Sequence, residues 1–270
     1  MLLAASRALS LCAACILLAV SCTTSRFYTP NTMQIPMLTG AQEATITGGV
    51  SKSGKSSAWE AQAIYSPLPH VGVMVNHFDL RYEGATQTDN TPFSFYESEF
   101  KGKTRLTEGG IGGYYQLGQN KEYLMSLFGG FGQGSTENKY FPPPDIQTQE
   151  TFDSDWRYQR WFVQPALAMK YHRFQVGTAL RFVWVNYLDG NVNTRVGILE
   201  TERIQLLESS SPLFLTEMAW SIGWRFRPMT LSLNSTAVVR GKDSIRELDL
   251  ASNYVSLTVG LNLHEIGKKK

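Results

Sequence analysis

The sequence has little net charge, few cysteines and, after its first 21 residues, no long apolar run. Its 25 Lys and Arg against 23 Asp and Glu give a net charge of +2, so no charged field points to nucleic acid as a partner. A transmembrane helix needs about 18 or more consecutive apolar residues, which the chain beyond residue 21 does not supply. A hydrophobic fraction of 43% excludes a disordered chain. One large domain remains, either globular or a membrane β-barrel.

The beginning of the chain predicts a secretory signal peptide over residues 1–21. Arg7 precedes a short apolar run that ends in small residues. The stretch Ala19-Val-Ser-Cys22 resembles a bacterial lipobox, which implies cleavage before Cys22 and lipid attachment to that residue. The other two cysteines lie within the signal, so the mature chain could form no internal disulfide. We expect a signal peptide at 1–21, a lipidated tether at 22–40, a barrel at 41–266 and a basic tail at 267–270.

From residue 43 onward, apolar and polar residues alternate, which is typical of β-strands with one apolar face. In 254–263, for example, five Val and Leu residues share one face, opposite Ser, Thr, Gly and Asn. Ten such segments occur, at 43–50, 58–66, 70–81, 105–117, 122–135, 160–171, 174–184, 214–226, 229–237 and 254–263. Pro165 interrupts one of them and predicts a bulge, because proline cannot donate to a strand ladder.

The connections between these segments alternate in length. Short ones lie near 67–69, 118–121, 172–173 and 227–228, and longer ones near 51–57, 84–104, 136–156, 189–211 and 242–250. Tight turns at one end and longer loops at the other are typical of bacterial outer-membrane barrels. Lipid cannot satisfy an open sheet edge, so a spanning sheet must close. The prediction is an all-β fold, a single closed antiparallel up-and-down transmembrane β-barrel of about ten strands.

Aromatic residues recur beside the short turns and predict an interfacial girdle at the level of the lipid headgroups. Its predicted members are Tyr65, Tyr115, Tyr123, Tyr171, Phe174 and Phe226.

If the apolar faces contact lipid, the charges on the opposite faces point into the lumen. The predicted lumen charge network consists of Glu60, Glu108, Arg160, Lys170, Arg181, Glu217 and Arg225. Three acids and four bases in a narrow barrel would largely pair, which favours a plugged, salt-bridged interior. A narrow pore for small polar solutes is the alternative.

The chain resembles the small outer-membrane β-barrel lipoproteins of Gram-negative bacteria. The likeness rests on Phe27-Tyr-Thr-Pro-Asn31 and Ile35-Pro-Met-Leu38, followed by the strand segment Glu43–Val50. It implies an outer-membrane location, with outer-membrane lipid as a partner, and no single shared activity. Aromatic and proline residues in the 84–104 and 136–156 loops suit contact with another envelope protein or packing over the barrel mouth.

Motifs for chemistry are weak. Gly49-Val-Ser-Lys-Ser-Gly-Lys-Ser56 matches a phosphate-binding loop, but an alternating segment follows it where that loop needs a helix, so nucleotide binding is rejected. The four histidines lack metal-site spacing, and no G-x-S-x-G segment occurs. We expect no enzyme activity, no metal and no cofactor. The interpretation is a lipid-anchored accessory protein acting through its loops; a channel, a membrane-embedded enzyme and a soluble periplasmic barrel are the alternatives.

Overall fold

The computed structural model describes residues 28–53, 55–87, 97–118, 121–141, 152–193, 205–206, 208–209, 211–239 and 253–266. The ten strands are β1 (Ala44–Ser53), β2 (Ser56–Leu68), β3 (Val71–Gln87), β4 (Glu97–Leu117), β5 (Tyr123–Phe141), β6 (Phe152–Tyr171), β7 (Phe174–Asn193), β8 (Leu213–Phe226), β9 (Met229–Val239) and β10 (Asn253–Asn262). Each strand pairs antiparallel with its neighbours in sequence, and β1 pairs with β10. The predicted closed ten-stranded barrel is therefore confirmed.

The apolar rows of the strands face outward and the polar rows face the lumen. Ile111 and Trp161 are 62% and 60% exposed on the outer surface, whereas Asn76 and Gln164 are buried inside. A soluble barrel would bury its apolar rows, so this arrangement suits a surface bathed in acyl chains. Within the described ranges, no helix is long and apolar enough to cross a membrane.

The apolar belt covers only the half of the barrel nearer the short turns. On β6 the outward apolar positions run from Trp161 to Tyr171, and beyond Trp161 the outward positions are Gln159, Arg157 and Asp155. A tilted strand spans a bilayer with about 9–11 residues, which matches this belt. Because β6 has 20 residues, its other half projects beyond the membrane.

Because the strands extend beyond the belt, the loops are shorter than the sequence indicated. The predicted 84–104 loop is strand to Gln87 and again from Glu97, and the predicted 136–156 loop is strand to Phe141 and again from Phe152. Phe100, expected in a loop, is buried inside the barrel. These loop boundaries were wrong because strand alternation continues above the belt with charged outward residues. The stretches 88–96 and 142–151 lie outside the described residues.

The projecting half carries ion pairs on its outer surface. Arg157 on β6 donates from Nε to Oδ1 of Asp189 on β7 at 2.9 Å. This hydrogen bond lowers the pKa of the Asp189 carboxyl. Both side chains are more than half exposed, so the pair contributes little to stability.

Pro165 does not cause a bulge. Val163 pairs with Phe182 and Ala166 with Ala179 in one unbroken register, and Pro165 itself faces Leu127 on β5. The β6–β7 ladder only lacks the two pairs in between, which accommodates the missing donor. The register shift on β6 falls at Arg157/Tyr158 instead.

The segment predicted as a tether enters the lumen. Residues 28–39 have no regular secondary structure, as the sequence indicated, but most of them are buried inside the barrel. Tyr28 lies beside Tyr158, in the projecting part of β6, and Leu38 lies near Gly72, close to the short-turn end. The prediction of a linker outside the fold was wrong for these residues, which we call the lumen segment. Residues 22–27 lie outside the described part of the chain.

Candidate functional site in the lumen

Two acids and two bases meet at the centre of the lumen. Arg160 on β6 donates from Nε to Oε2 of Glu108 on β4 at 3.0 Å, and Arg181 on β7 donates from Nη1 to Oε1 of Glu108 at 3.1 Å. Glu217 on β8 lies 3.8 Å from Arg160 and 3.9 Å from Arg181. All four side chains are fully buried, and their charges balance. We call these four residues the central quartet.

The lumen segment adds hydrogen bonds to the quartet, in which Glu217 Oε2 alone has no hydrogen-bond partner among the described residues. The Tyr28 hydroxyl donates to Glu217 Oε1 at 2.5 Å and accepts from Arg160 Nη1 at 2.6 Å. Asn31 donates from Nδ2 to Glu108 at 3.2 Å and accepts from Arg160 Nη2 at 2.6 Å. A buried ion pair repays its desolvation only when its remaining donors and acceptors are satisfied. The segment is therefore part of what makes a charged interior tolerable.

Two further wall residues support the quartet. Asn76 on β3 donates to Glu108 Oε1 at 2.8 Å, and Gln164 on β6 accepts from Arg181 Nη2 at 2.6 Å. The Arg181 guanidinium also lies 4.6 Å from the centre of the Phe162 ring, within cation–π range. Each guanidinium nitrogen of Arg181 thus donates a hydrogen bond.

Strand register brings the quartet to one level of the wall. Asn76 is paired with Glu108, and Arg181 is paired with Glu217 across their strands. Gly132 lies between Glu108 and Arg160 on the intervening strand β5. A Cβ atom there would come within 2.8 Å of the Glu108 Cβ. Glycine at this position leaves room for the two large side chains to meet across β5.

The backbone of the lumen segment is bonded to the wall along its whole length. Four of its carbonyl oxygens, at Thr32, Gln34, Met37 and Thr39, accept from Gln62, Gln164, Lys170 and Gln116 respectively. Thr32 also bonds through its hydroxyl to Ser256 on β10, at 2.7 Å. An irregular buried backbone needs such partners, because no ladder satisfies it. The segment is held as a fixed plug.

One apolar contact fixes the height of the plug. Met33 is buried against Ala166, Ala179 and Ala219, which form a row across β6, β7 and β8. These three small inward side chains leave the space that Met33 fills. The row acts as a socket for Met33, and the partly buried Ile35 packs against the same cluster.

Replacing Met33 with alanine should lower the free energy of unfolding by about 2–4 kcal/mol, because it leaves a cavity that rigid strands cannot close. The measurement is urea unfolding in detergent micelles. Met125→Ala is the matched control, since Met125 is 49% exposed on the outer surface and should change stability little. Equal effects of the two substitutions would contradict the socket.

A cavity of about 80 Å³ remains beside the plug near the short-turn end. Its lining is mostly polar and includes Gln62, Gln175, Asn234 and Thr258. It has room for a few water molecules, which its polar walls can bond. Its size does not suit a larger solute.

Three of the seven predicted lumen charges lie apart from the quartet. Glu60 is buried, but lies against Gly49 on β1. Lys170 reaches the Met37 carbonyl, and Arg225 donates to the His172 carbonyl at 3.3 Å. Lys170 and Arg225 therefore sit at the short-turn end. Glu108, Arg160, Arg181 and Glu217 are the four that the structure brings together.

The six predicted girdle residues lie near the short turns on the outward-facing rows. Tyr65, Tyr115, Tyr123, Tyr171 and Phe226 are each at least 43% exposed, and Phe174 is partly exposed. A second aromatic row, which the sequence analysis missed, marks the opposite edge of the belt. Phe131, Trp161, Trp184 and Phe214 are direct partners across four neighbouring strands. Counting residues along each strand from its short turn would have shown that these four aromatic residues lie at one level.

Other motifs form no site among the described residues. Ser53 pairs with Ser56, so the phosphate-loop match is a hairpin between two strands. No group of three or more His, Cys, Asp or Glu in the described ranges could hold a metal ion. His70 and His172 occupy turns with positive φ.

An apolar belt, a closed sheet and a polar, charge-paired interior define the class: this is a transmembrane β-barrel with a filled lumen. The sequence matches no protein-family model and no curated protein. Among solved structures, the chain is similar to the outer membrane protease OmpT from Escherichia coli, with 10% identity, 83% of this chain and 94% of that chain covered, and a TM-score of 0.47. It is also similar to CdiB from Acinetobacter baumannii, with 8% identity, 83% and 60% covered, and a TM-score of 0.26.

Proposed function

We propose that this chain is a lipid-anchored protein of the bacterial outer membrane that neither conducts solutes nor catalyses a reaction, and that it binds another envelope protein through its projecting end. The observation that carries this proposal is the plugged lumen. Charged residues that could line a pore or a catalytic cleft are instead bonded to one another and to the lumen segment. The surfaces left for function are the outer wall and the end beyond the belt.

The outer-membrane location is supported by three features of the chain. A signal peptide is predicted at its start, the belt has the height of a bilayer, and short turns alternate with longer connections. The short-turn end then faces the periplasm, and the projecting strands reach outside the cell. Partner contact falls to the connections at that end, which the strands limit to residues 88–96 and 142–151.

The direction of the lumen segment bears on the lipid at Cys22. The segment enters β1 at the short-turn end, and Tyr28 at its start lies beside Tyr158, three positions beyond Trp161 toward the projecting end. Cys22 lies six positions before Tyr28, with five residues between them. Six steps along the chain can span at most about 20 Å. The proposal therefore puts the lipid in the outer leaflet.

Lipidation is tested by the mass of the mature protein and by metabolic labelling with an alkynyl fatty acid. Labelling of the natural chain and its loss in Cys22→Ser would support the anchor. An unlabelled natural chain with a free N-terminus at another residue would exclude it.

Partner binding is tested by crosslinking in intact cells. Replacing residues 88–96 or 142–150 with short Gly-Ser linkers should remove the crosslinked product. Replacing residues 118–121 at the opposite end is the control and should leave it. Loss of the product only with the control would place the contact on the periplasmic side.

The alternative function is a narrow channel, and the purified full-length protein should show no current steps in a planar bilayer. The reason is that the plug and its hydrogen bonds leave space for only a few waters beside it. Regular single-channel openings would exclude the plugged barrel and favour the channel.

A further inference from the structure

The outer wall has an apolar depression where β4 and β5 meet. Gly109 and Gly129 occupy outward positions, so no side chain covers the sheet there. Ile111, Phe131, Trp161, Val163 and Trp184 rise around this open depression, whose volume is about 490 Å³. We call this depression the glycine groove. It lies within the apolar belt, where acyl chains of the bilayer contact the wall.

A basic cluster lies above the groove on the same sheet. Going up β4 from Gly109, the outward positions are Thr107, Arg105 and Lys103. Lys103 Nζ is 3.2 Å and Arg105 Nε is 3.5 Å from Oδ2 of Asp79 on β3. Four residues along a strand separate Arg105 from Gly109, about 13 Å. The cluster therefore lies just beyond the edge of the belt.

The basic cluster carries more positive charge than its acid neutralises. Arg81 Nε is the third cation at Asp79, at 3.9 Å, so three bases share one carboxylate. Lys101 is paired with Glu83, at 3.4 Å, and does not change this balance. Glu137 on β5 is the cross-strand partner of Lys103 and is a second, exposed acid beside the cluster. Three bases against Asp79 and Glu137 leave one positive charge at the headgroup level.

The partner that fits here is an anionic phosphate headgroup. Its oxygens accept charge-assisted hydrogen bonds from Lys and Arg side chains, and its negative charge offsets the surplus cation. Lys and Arg side chains at a membrane surface are also attracted to anionic headgroups in general.

We propose that this face of the barrel binds a lipid with an anionic phosphate headgroup, its phosphate held by Lys103, Arg105 and Arg81 and one acyl chain lying in the glycine groove. The proposal rests on the proposed membrane orientation, because the cluster then lies at the outer headgroup level. The occupant is a lipid rather than a free phosphate, since the groove and the cluster lie one below the other on the same strands. A lipid's acyl chain runs from its headgroup toward the bilayer centre in the same direction.

The test uses native mass spectrometry of the full mature chain in detergent, titrated with dioleoyl phosphatidic acid or dioleoyl phosphatidylcholine. We expect phosphatidic acid to bind about tenfold more tightly, because its anionic phosphate accepts charge-assisted hydrogen bonds from the cluster, whereas the choline cation offsets the phosphate of the other lipid. The double variant Lys103→Gln/Arg105→Gln should bring the two lipids to equal binding. Lys52→Gln/Lys55→Gln is its control, removing two cations from the β1–β2 hairpin, and should keep the preference.

The groove has its own variant and control. A Cβ at Gly129 would meet the Phe162 carbonyl at an ordinary 3.6 Å, and a Cβ at Gly48 on β1 would meet nothing within 4 Å. Gly129→Val should therefore fold, fill the groove and reduce phosphatidic acid binding, whereas Gly48→Val should not reduce it. Heat-modifiable gel mobility reports separately whether each barrel has formed.

Equal binding of the two lipids by the natural chain would overturn the proposal. A preference that survives the cluster variant would also overturn it, because the bases would then not hold the headgroup. A preference that survives Gly129→Val would do so too, because the site would then bind a free anion without an acyl chain. Failure of these lipid measurements leaves the conductance and crosslinking results untouched, so the two proposals fail independently.

Discussion

Replacing Glu108 with alanine should destabilise the barrel by about 3–5 kcal/mol, the range found when one partner of a buried ion pair is removed. Glu108 accepts from Arg160, Arg181 and Asn76, and its loss leaves two buried guanidinium groups with one acid of the quartet, Glu217, at 3.8 and 3.9 Å. The measurement is urea unfolding in detergent, followed by tryptophan fluorescence. If the Glu108→Ala variant does not fold at all, its heat-modifiable gel mobility is lost, and this outcome also agrees with the predicted destabilisation.

Glu137→Ala provides the control, because Glu137 is an exposed acid on the neighbouring strand β5. It should change the free energy of unfolding little. The double variant Glu108→Leu/Arg160→Leu leaves Arg181 facing Glu217, one charge against one. It should be more stable than Glu108→Ala, as expected when charge balance rather than volume is restored. A Glu108→Ala barrel as stable as the Glu137→Ala barrel would contradict the role given to the quartet.

Deleting residues 28–37 should cost still more, roughly 5 kcal/mol, since it combines an emptied Met33 socket with the loss of Tyr28 and Asn31 from the quartet. The unfolding midpoint in urea should fall accordingly. The expectation is distinctive because deletion of an ordinary tether would leave the midpoint unchanged.

A synthetic peptide of residues 28–39 keeps that deletion informative. Added to the deleted barrel, it should raise the midpoint, whereas a scrambled peptide of the same composition should not. Deletion of the basic tail 267–270 is the control for shortening the chain. An unchanged midpoint after deletion of 28–37 would show that the lumen segment is not needed for the fold.

The barrel itself could be predicted because the period-two pattern is local. The alternation within each strand indicates which side chains face lipid, as the row of Val and Leu in β10 shows. Strand parity also predicted that Glu108, Arg160, Arg181 and Glu217 point inward. Which of the seven charges meet depends on register across β5 to β8, and register is set by pairing along the whole sheet.

The lumen segment could not be predicted because its signal is not periodic. Residues such as Thr32 and Gln34 resemble those of an exposed linker, and only the carbonyl partners Gln62 and Gln164 on distant strands explain their burial. Strand alternation also places the uncharged residues Asn76 and Gln164 on inward positions, so their orientation was predictable in the same way. The strand extensions were missed because charges replace apolar residues above the belt.

The position of the lumen segment restricts the order of assembly. The segment is continuous with β1, and β1 forms the final seam of the cylinder with β10. With the proposed acyl chains at Cys22, the N-terminus could not later be drawn through an interior only a few side chains wide. The β1–β10 seam must therefore close after the lumen segment has packed against the inner face of the sheet. The first part of the chain then serves as the template around which the last strand closes.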